Sequence, residues 1–166
     1  MPLPSTCLVR VASCSLLFSM RALRVKCSND ALLIVKRSRQ WKKRMVYILV
    51  ANKSYKYPSG RRSQVIYIGT TGKGVRRPAT SAVDKASDAF SELRGVREIE
   101  AYIATCGGRK AVRTWLHLES SLLAVFRERY WGLPKYNKKK GSVRYAEDVS
   151  LFRRRALEKI LLRFGD

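Results

Sequence analysis

The stretch VYILVANKSYKYPSGRRSQVIYIG, residues 46–69, decides the fold. Its two ends, VYILVAN (46–52) and VIYIG (65–69), are rich in β-branched and aromatic residues, which favours strands. The polar residues between them, 53–64, include a proline and a glycine and are typical of a turn or an extended hairpin loop. We therefore predict two antiparallel strands that are joined as a hairpin.

The patterns beyond this hairpin predict one more strand and three helices. A glycine-rich, basic loop (70–78) leads into a helix at roughly 79–94. Apolar and polar residues alternate over 97–105, which predicts a half-buried strand. Apolar positions at spacings of three and four predict helices at 109–131 and at about 145–164. This order predicts a small α+β domain with a three-stranded antiparallel sheet flanked by helices.

The composition indicates a folded domain with a polyanionic partner. The chain has 166 residues, of which 46% are hydrophobic. No apolar run approaches the ~18 residues that a membrane crossing needs. The chain carries 35 Lys and Arg against 12 Asp and Glu, which gives a formal net charge of +23. Because counterion release rewards phosphate contacts, we expect nucleic acid as the partner, with anionic lipid or an acidic protein as alternatives.

We divide the chain into three segments, each with a net positive charge. Residues 1–44 are a basic N-terminal extension, 45–137 the main domain, and 138–166 a basic linker with the C-terminal helix. The extension is open to several interpretations: a disordered basic extension, a weak signal peptide, an organellar presequence, or residues upstream of a true start at Met45. We expect a cytoplasmic, nucleoid-associated protein and leave organellar targeting by the extension open.

The cysteines do not indicate a metal site. The chain has four cysteines without a CxxC pair, and its one histidine lies far from the first three. A structural zinc site needs about four closely spaced ligands. We therefore expect free thiols in a reducing compartment.

One carboxylate lies where the helix predicted at 109–131 should have an apolar residue. Glu119 follows Trp115 by four residues and precedes Leu122 by three, so it falls within the apolar stripe. Burying an isolated carboxylate costs several kcal/mol unless a cation compensates it. Two interpretations remain open. The Glu119 carboxylate either extends to solvent at the edge of the core or pairs with a structural arginine, or it coordinates a hard cation such as Mg²⁺ with substrate phosphate oxygens as further ligands.

Two tyrosines on the predicted hairpin precede a basic loop. Tyr47 and Tyr67 fall on adjacent strands, where aromatic residues are common for structural reasons alone. The loop after Tyr67 carries Lys73, Arg76 and Arg77 together with glycines, which let the backbone approach a phosphate closely. An arginine can hold a phosphate through two parallel hydrogen bonds.

Two short motifs resemble the two halves of the signature of the GIY-YIG nuclease family. They are VYI at 46–48 and YIG at 67–69. The resemblance covers about residues 45–137 and implies a small antiparallel sheet flanked by helices. The first triplet departs from the family pattern because its tyrosine precedes the isoleucine. The two tyrosines are also farther apart than in typical members.

Three further residues match positions that this family uses. Arg77, ten residues after the second tyrosine, matches its invariant arginine. Glu119 matches its metal-binding glutamate, and Asn137, in the sequence LPKYN, matches its late asparagine. Many members carry His or Tyr four residues after the arginine, where this chain has Ser81. Arg76 is close enough to be the functional arginine instead.

The resemblance implies an endonuclease that hydrolyses DNA phosphodiester bonds through one divalent ion, Mg²⁺ or Mn²⁺. Glu119 would hold the ion, and Tyr47 or Tyr67 would orient or deprotonate the attacking water. Arg77 would stabilise charge on the phosphate, and Asn137 would hydrogen-bond a catalytic tyrosine or a phosphate. The alternatives are a catalytically inactive basic nucleic-acid-binding module of the same fold and a basic structural protein such as a ribosome-associated one.

Basic residues outside the catalytic set are candidates for binding DNA, with RNA as an open alternative. They lie in the glycine-rich loop, after the long helix and on the last helix: Lys73, Arg76, Lys138, Lys139, Lys140, Arg153, Arg154 and Arg155. On the last helix, a solvated basic face that only packs on the domain explains the pattern equally well.

Overall fold

The computed structural model describes residues 43–108, 112–138 and 151–165, all within one compact unit. Strand, strand, helix, strand, helix and helix follow one another in the predicted order. The elements are β1 (Met45–Lys56), β2 (Arg62–Thr71), α1 (Arg76–Glu92), β3 (Ile99–Ala104), α2 (Thr114–Tyr130) and α3 (Arg154–Leu162). The α+β class with a small three-stranded antiparallel sheet is therefore confirmed.

The sheet has β1 in the centre, with β2 and β3 antiparallel on its two sides. Pairing of β1 with β2 is irregular between Val50 and Tyr55 and then resumes as far as Lys56 opposite Arg62, so residues 57–61 form the connection. In this turn the Tyr57 N–H donates to the Arg61 carbonyl at 2.9 Å. The prediction of an extended hairpin loop over residues 53–64 is therefore wrong. The polar residues of this stretch continue the two strands at the exposed end of the hairpin.

A β-bulge puts two consecutive residues of β2 on the same face. Leu49 lies opposite Tyr67 and Val50 opposite Val65, so Ile66 is an extra residue in β2. Ile66 and Tyr67 both pack in the cluster that contains Leu49, whereas Val65 packs in the cluster on the other face.

Helices cover both faces of the sheet. Because side chains alternate along a strand, β1 supplies apolar residues to both faces, and this explains its unbroken apolar run. One face packs against α2 and α3, through Val46, Ile48, Val50, Leu118, Leu122, Phe126, Leu157 and Leu161. The other packs against α1 and the residues after it, through Tyr47, Leu49, Ala51, Ile66, Ala89, Leu93 and Val96.

The ends of the helices differ from the prediction. Helix α1 begins at Arg76, three residues early, so that Pro78 lies within its first turn. Helix α2 ends at Tyr130, because Trp131 takes a left-handed conformation. Helix α3 begins only at Arg154, since Arg153 is extended; part of the helix predicted from about 145 lies outside the described residues. None of these helices, in the described part of the chain, is long and apolar enough to cross a membrane.

Candidate active site

The phenol rings of Tyr47 and Tyr67 lie side by side on the face of the sheet that α1 covers. Their ring centroids are 6.0 Å apart and their planes are inclined by 37°. Gly69 lies opposite Tyr47 in the strand register. A Cβ atom at Gly69 would lie 2.7 Å from the Tyr47 Cζ atom and 2.6 Å from the Tyr67 Cε1 atom. The absence of a side chain at Gly69 therefore makes the room that both phenols occupy.

The Tyr47 hydroxyl group is held by α1. It forms a hydrogen bond of 2.9 Å with Ser81 Oγ, and Tyr47 itself is only 1% exposed. Ser81 follows Arg77 by four residues on α1, so the two side chains lie on the same side of the helix, one turn apart. Ser81, which replaces the His or Tyr of the resembled family, thus contacts the first of the two tyrosines.

The half-buried Tyr67 has a pKa raised to about 12. Burial is the main cause, followed by the neighbouring Tyr47 and by the negative charge of Glu119; the positive charge of Arg77 acts in the opposite direction. Tyr67 is therefore a neutral phenol at physiological pH. A tyrosine that acts as a base needs a lowered pKa, so the charge state of Tyr67 suits a residue that orients water.

Glu119 is half-buried on α2, as its place in the apolar stripe predicted. Burial raises the pKa of its carboxyl group from 4.5 to about 7, and the positive charge of Arg77 opposes this shift. Glu119 and Arg77 both change the pKa of Tyr67 as well. Glu119 on α2, Arg77 on α1 and Tyr67 on β2 are therefore close enough for their charges to affect one another. Tyr47 packs beside Tyr67.

Asn137 lies along the free edge of β2. The Ile68 N–H donates to Asn137 Oδ1 at 2.9 Å, and Asn137 Nδ2 donates to the Ile68 carbonyl at 2.7 Å. The preceding residue continues this contact, since the Tyr136 N–H donates to the Ile66 carbonyl at 2.9 Å. We predicted a hydrogen bond from Asn137 to a tyrosine or a phosphate. Its amide instead pairs like a strand with the backbone between Tyr67 and Gly69, because an edge strand has unpaired backbone groups there.

The described basic residues that we predicted to bind nucleic acid are all exposed. Lys73, Arg76 and Arg77 come from the loop after β2 and the start of α1, next to Tyr67 in the chain. The others are Lys138, Arg153, Arg154 and Arg155, whereas Lys139 and Lys140 lie outside the described residues. Arg154 already contacts two carboxylates, those of Glu128 and Glu158, at 2.8 Å each. It is therefore the least suited of the set to hold a phosphate.

The contact of Arg44 with α2 was not recognised in the sequence. The Arg44 guanidinium lies over the Trp115 ring, 4.7 Å from its centroid, and Trp115 precedes Glu119 by one turn of α2. The neighbouring Lys43 carbonyl accepts a hydrogen bond of 3.0 Å from the Gly74 N–H. The spacing in the sequence already places Trp115 one turn before Glu119. Arg44 was assigned to the extension, and no sequence signal places it on α2.

The described residues offer a divalent ion the Glu119 carboxylate at this site. Among the described residues, no three His, Cys, Asp or Glu side chains lie close enough together to hold a metal ion. The Glu119 carboxylate is buried at a cost that Arg77 only partly offsets, and a cation would remove that cost. Mg²⁺ keeps several waters and is often held by one or two carboxylates plus substrate phosphate. Cys106, the one cysteine in the described ranges, is a free thiol.

The candidate site thus joins Tyr47, Tyr67, Arg77 and Glu119, with Asn137 supporting β2 behind them. Four separate elements contribute these side chains. Comparisons of the chain with protein-family models, with curated proteins and with solved structures each found no match.

Proposed function

We propose that this chain is a metal-dependent endonuclease that hydrolyses DNA phosphodiester bonds in a GIY-YIG-type site, and that it acts on DNA in the cytoplasm. The position of Glu119 carries the proposal. A half-buried carboxylate shares its surroundings with Tyr67 and Arg77 on a chain with a net charge of +23. An arrangement that only stabilised the fold would not need a carboxylate whose burial is so poorly compensated.

The basic start of α1 would receive the phosphate. Arg77 is exposed and close enough to Tyr67 and Glu119 to influence both pKa values. It could donate two hydrogen bonds to the scissile phosphate and stabilise the charge that develops there. Lys73 and Arg76 would contact neighbouring phosphates of the same strand.

Glu119 would hold Mg²⁺ or Mn²⁺ together with water and a phosphate oxygen. Such an ion supplies charge stabilisation at the scissile phosphate when it is bound. The half-buried carboxylate has a pKa of about 7 without a cation, so a nearby positive charge would favour its ionised form.

The phenols would orient the attacking water. Hydrolysis forms a bond between the water oxygen and phosphorus and breaks the bond to one ester oxygen; the proton of the water passes to solvent, and the leaving oxygen takes up a proton from solvent. Tyr67 is neutral and can both donate and accept a hydrogen bond. Tyr47 packs against it and is fixed by Ser81, so the pair has little freedom to move.

A plasmid-nicking assay with added Mg²⁺ or Mn²⁺ tests the proposal. We expect Glu119→Gln and Glu119→Ala to abolish nicking while DNA binding is largely kept. Glu98→Gln is the matched control, because Glu98 is an exposed carboxylate just before β3, on the opposite edge of the sheet from β2. A Glu119→Ala protein that nicked at the wild-type rate would show the mechanism to be wrong.

A basic nucleic-acid-binding module without catalysis is the second candidate. It is favoured by the raised pKa of Tyr67 and by Ser81 at the position where the resembled family carries His or Tyr, since both leave water without an evident base. This candidate predicts salt-dependent DNA binding with no metal-dependent nicking by the wild-type protein. The same assay therefore separates the two.

A further inference from the structure

A groove of about 400 Å³ lies at the other end of α2 from Glu119. The turn between β1 and β2, the C-terminal end of α2 and α3 surround it. Among its lining residues are Arg61 from the turn and Val125 and Trp131 from α2 and its end. Trp131 follows Glu119 by twelve residues, which corresponds to roughly 18 Å along a helix axis. The groove is large enough for a small ligand or one unit of a polymer.

Trp131 has an unusual backbone and an unusual exposure. It has φ 56° and ψ 26°, and among the described residues no other non-glycine residue has a positive φ. Glycine is the usual residue at this position after a helix, because a bulky side chain is disfavoured there. The indole is also 72% exposed. A strained position that holds a large exposed aromatic residue points to a function for the side chain.

The groove is held open by contacts within the fold. The Ser59 N–H donates to the Tyr130 carbonyl at 3.2 Å, which fixes the turn onto the end of α2. Arg154 bridges Glu128 on α2 and Glu158 on α3, with N–O distances of 2.8 Å to each. The groove therefore exists before any ligand binds.

The charges that line the groove favour an anionic ligand. Its two carboxylates, Glu128 and Glu158, both contact Arg154, whose single positive charge offsets one of their two negative charges. With Arg129, Arg154 and the exposed Arg61 against these two glutamates, the lining carries one net formal positive charge. An indole face with a nearby guanidinium matches a nucleobase and its phosphate, because every base can stack on an aromatic ring.

We propose that this groove binds one unpaired nucleotide of a nucleic-acid strand, with the base on the Trp131 indole and the phosphate on Arg61. The inference takes its ligand class from the proposed function and adds a second contact with the same substrate. At ~3.4 Å per nucleotide, a strand from Glu119 would reach the groove after roughly five nucleotides.

Fluorescence anisotropy with a labelled oligothymidylate and with a duplex of equal length tests the inference. We expect Trp131→Ala to weaken binding of the single strand about 5- to 100-fold, and Trp131→Phe to restore most of it. Arg61→Gln should weaken binding and reduce the slope of log affinity against log salt by about one. Duplex binding should change much less.

Two further variants separate binding from folding. Trp131→Gly should have a melting temperature equal to or above that of the wild type, since glycine accepts the left-handed conformation, and should still lose binding. Phe90→Ala is the matched control, because Phe90 is a 50% exposed aromatic residue on α1, away from the groove lining. It should bind the oligonucleotide as the wild type does.

The outcomes distinguish this inference from the proposed function. If Trp131→Ala binds the single strand normally while Glu119→Gln loses nicking, the groove does not bind nucleotides and the nuclease proposal stands. If the wild type never nicks but Trp131→Ala loses oligonucleotide binding, the groove inference stands alone. A wild-type protein that binds duplex but not single strands would overturn the inference and point to a protein partner at Trp131.

Discussion

The hydrogen bond of 2.9 Å between the Tyr47 hydroxyl group and Ser81 Oγ joins the central strand to α1 beside Tyr67. It fixes a phenol that is 1% exposed and that packs on a second phenol at 6.0 Å between centroids. Ser81 is a small residue at a position where the resembled family carries a larger one. It still reaches Tyr47, so the position contributes to the candidate site through a contact rather than through its own chemistry.

Replacing Ser81 with alanine should leave the Tyr47 hydroxyl group without its partner. An unsatisfied buried hydroxyl group costs about 1–3 kcal/mol. We expect Ser81→Ala to lower the free energy of unfolding by that amount, and to lower the kcat of nicking while the KM for DNA changes little. Ser81→Thr keeps the hydroxyl group and should restore both. Urea unfolding and initial nicking rates check this, and equal losses in the alanine and threonine variants would contradict it.

A methyl group at Gly69 should disturb both phenols. It would lie 2.6 Å from Tyr67 Cε1 and 2.7 Å from Tyr47 Cζ, which are distances that force the rings to move. We expect Gly69→Ala to lower the free energy of unfolding by about 1–3 kcal/mol, as overpacking generally does. Gly72→Ala is the control, because a Cβ atom at Gly72 would meet nothing within 4 Å. If both variants unfolded at the same urea concentration, the crowding around Gly69 would be refuted.

The Glu119 carboxyl group should make stability depend on pH in metal-free buffer. Its pKa is about 7 in the folded chain against an ordinary 4.5, so the folded state keeps this proton to higher pH than the unfolded state. Its contribution is therefore fully present below about pH 4.5 and is lost as the pH rises through about 7. We expect Glu119→Gln to resemble the wild type near pH 4.5 and to be more stable near pH 8, by at most about 3 kcal/mol.

Urea unfolding at these two pH values, with a chelator present, measures that difference. Glu128→Gln should show no such gain at high pH, because Glu128 is exposed and contacts Arg154. Adding Mn²⁺ at high pH should then stabilise the wild type and leave Glu119→Gln unchanged, since a ligand stabilises only the form that binds it. A gain from Glu119→Gln that is equal at both pH values would contradict the assignment of the raised pKa.

Asn137 should matter for stability even without substrate. Its amide makes two hydrogen bonds with the Ile68 backbone, of 2.9 Å and 2.7 Å. Asn137→Leu removes both and leaves the two backbone groups of Ile68 unpaired, so we expect a loss of about 1–3 kcal/mol. Asn137→Asp keeps the acceptor and should lose less. Hydrogen exchange of the Ile68 amide gives a local measure, and an unchanged exchange rate in Asn137→Leu would contradict a role at the strand edge.

The sequence predicted the features that depend on local pattern. The strand patterns at 46–52, 65–69 and 97–105 and the helical spacing of apolar residues predicted the sheet and the order of the helices, and the stripe on α2 placed Glu119 among apolar residues. The spacing of apolar residues predicts the buried face of a helix or strand, because that face must be apolar. The polarity of residues 53–64 wrongly predicted a loop over the whole stretch, since Tyr55 and Lys56 still pair with Ser63 and Arg62.

Contacts between distant residues could not be predicted in the same way. Asn137 and Ile68 are 69 residues apart, and the pairing of their polar atoms depends on where the chain returns to the edge of β2. The contact of Arg44 with Trp115 likewise joins the residue before β1 to the first turn of α2. The bulge at Ile66 could not be predicted from the sequence either, because VIYIG has the composition of a regular strand.

The bulge at Ile66 also affects the register in which β1 and β2 pair. Tyr47 and Ile48 are neighbours whose side chains lie on opposite faces of the sheet, so shifting β1 by a single residue would move the phenol to the face that packs against α2 and α3. An additional residue in β2 can be accommodated only where the partner strand leaves room for it. The bulge therefore fixes the register of β1 against β2. We expect a protein without Ile66 to fold into a mixture of states in which the two strands pair in different registers.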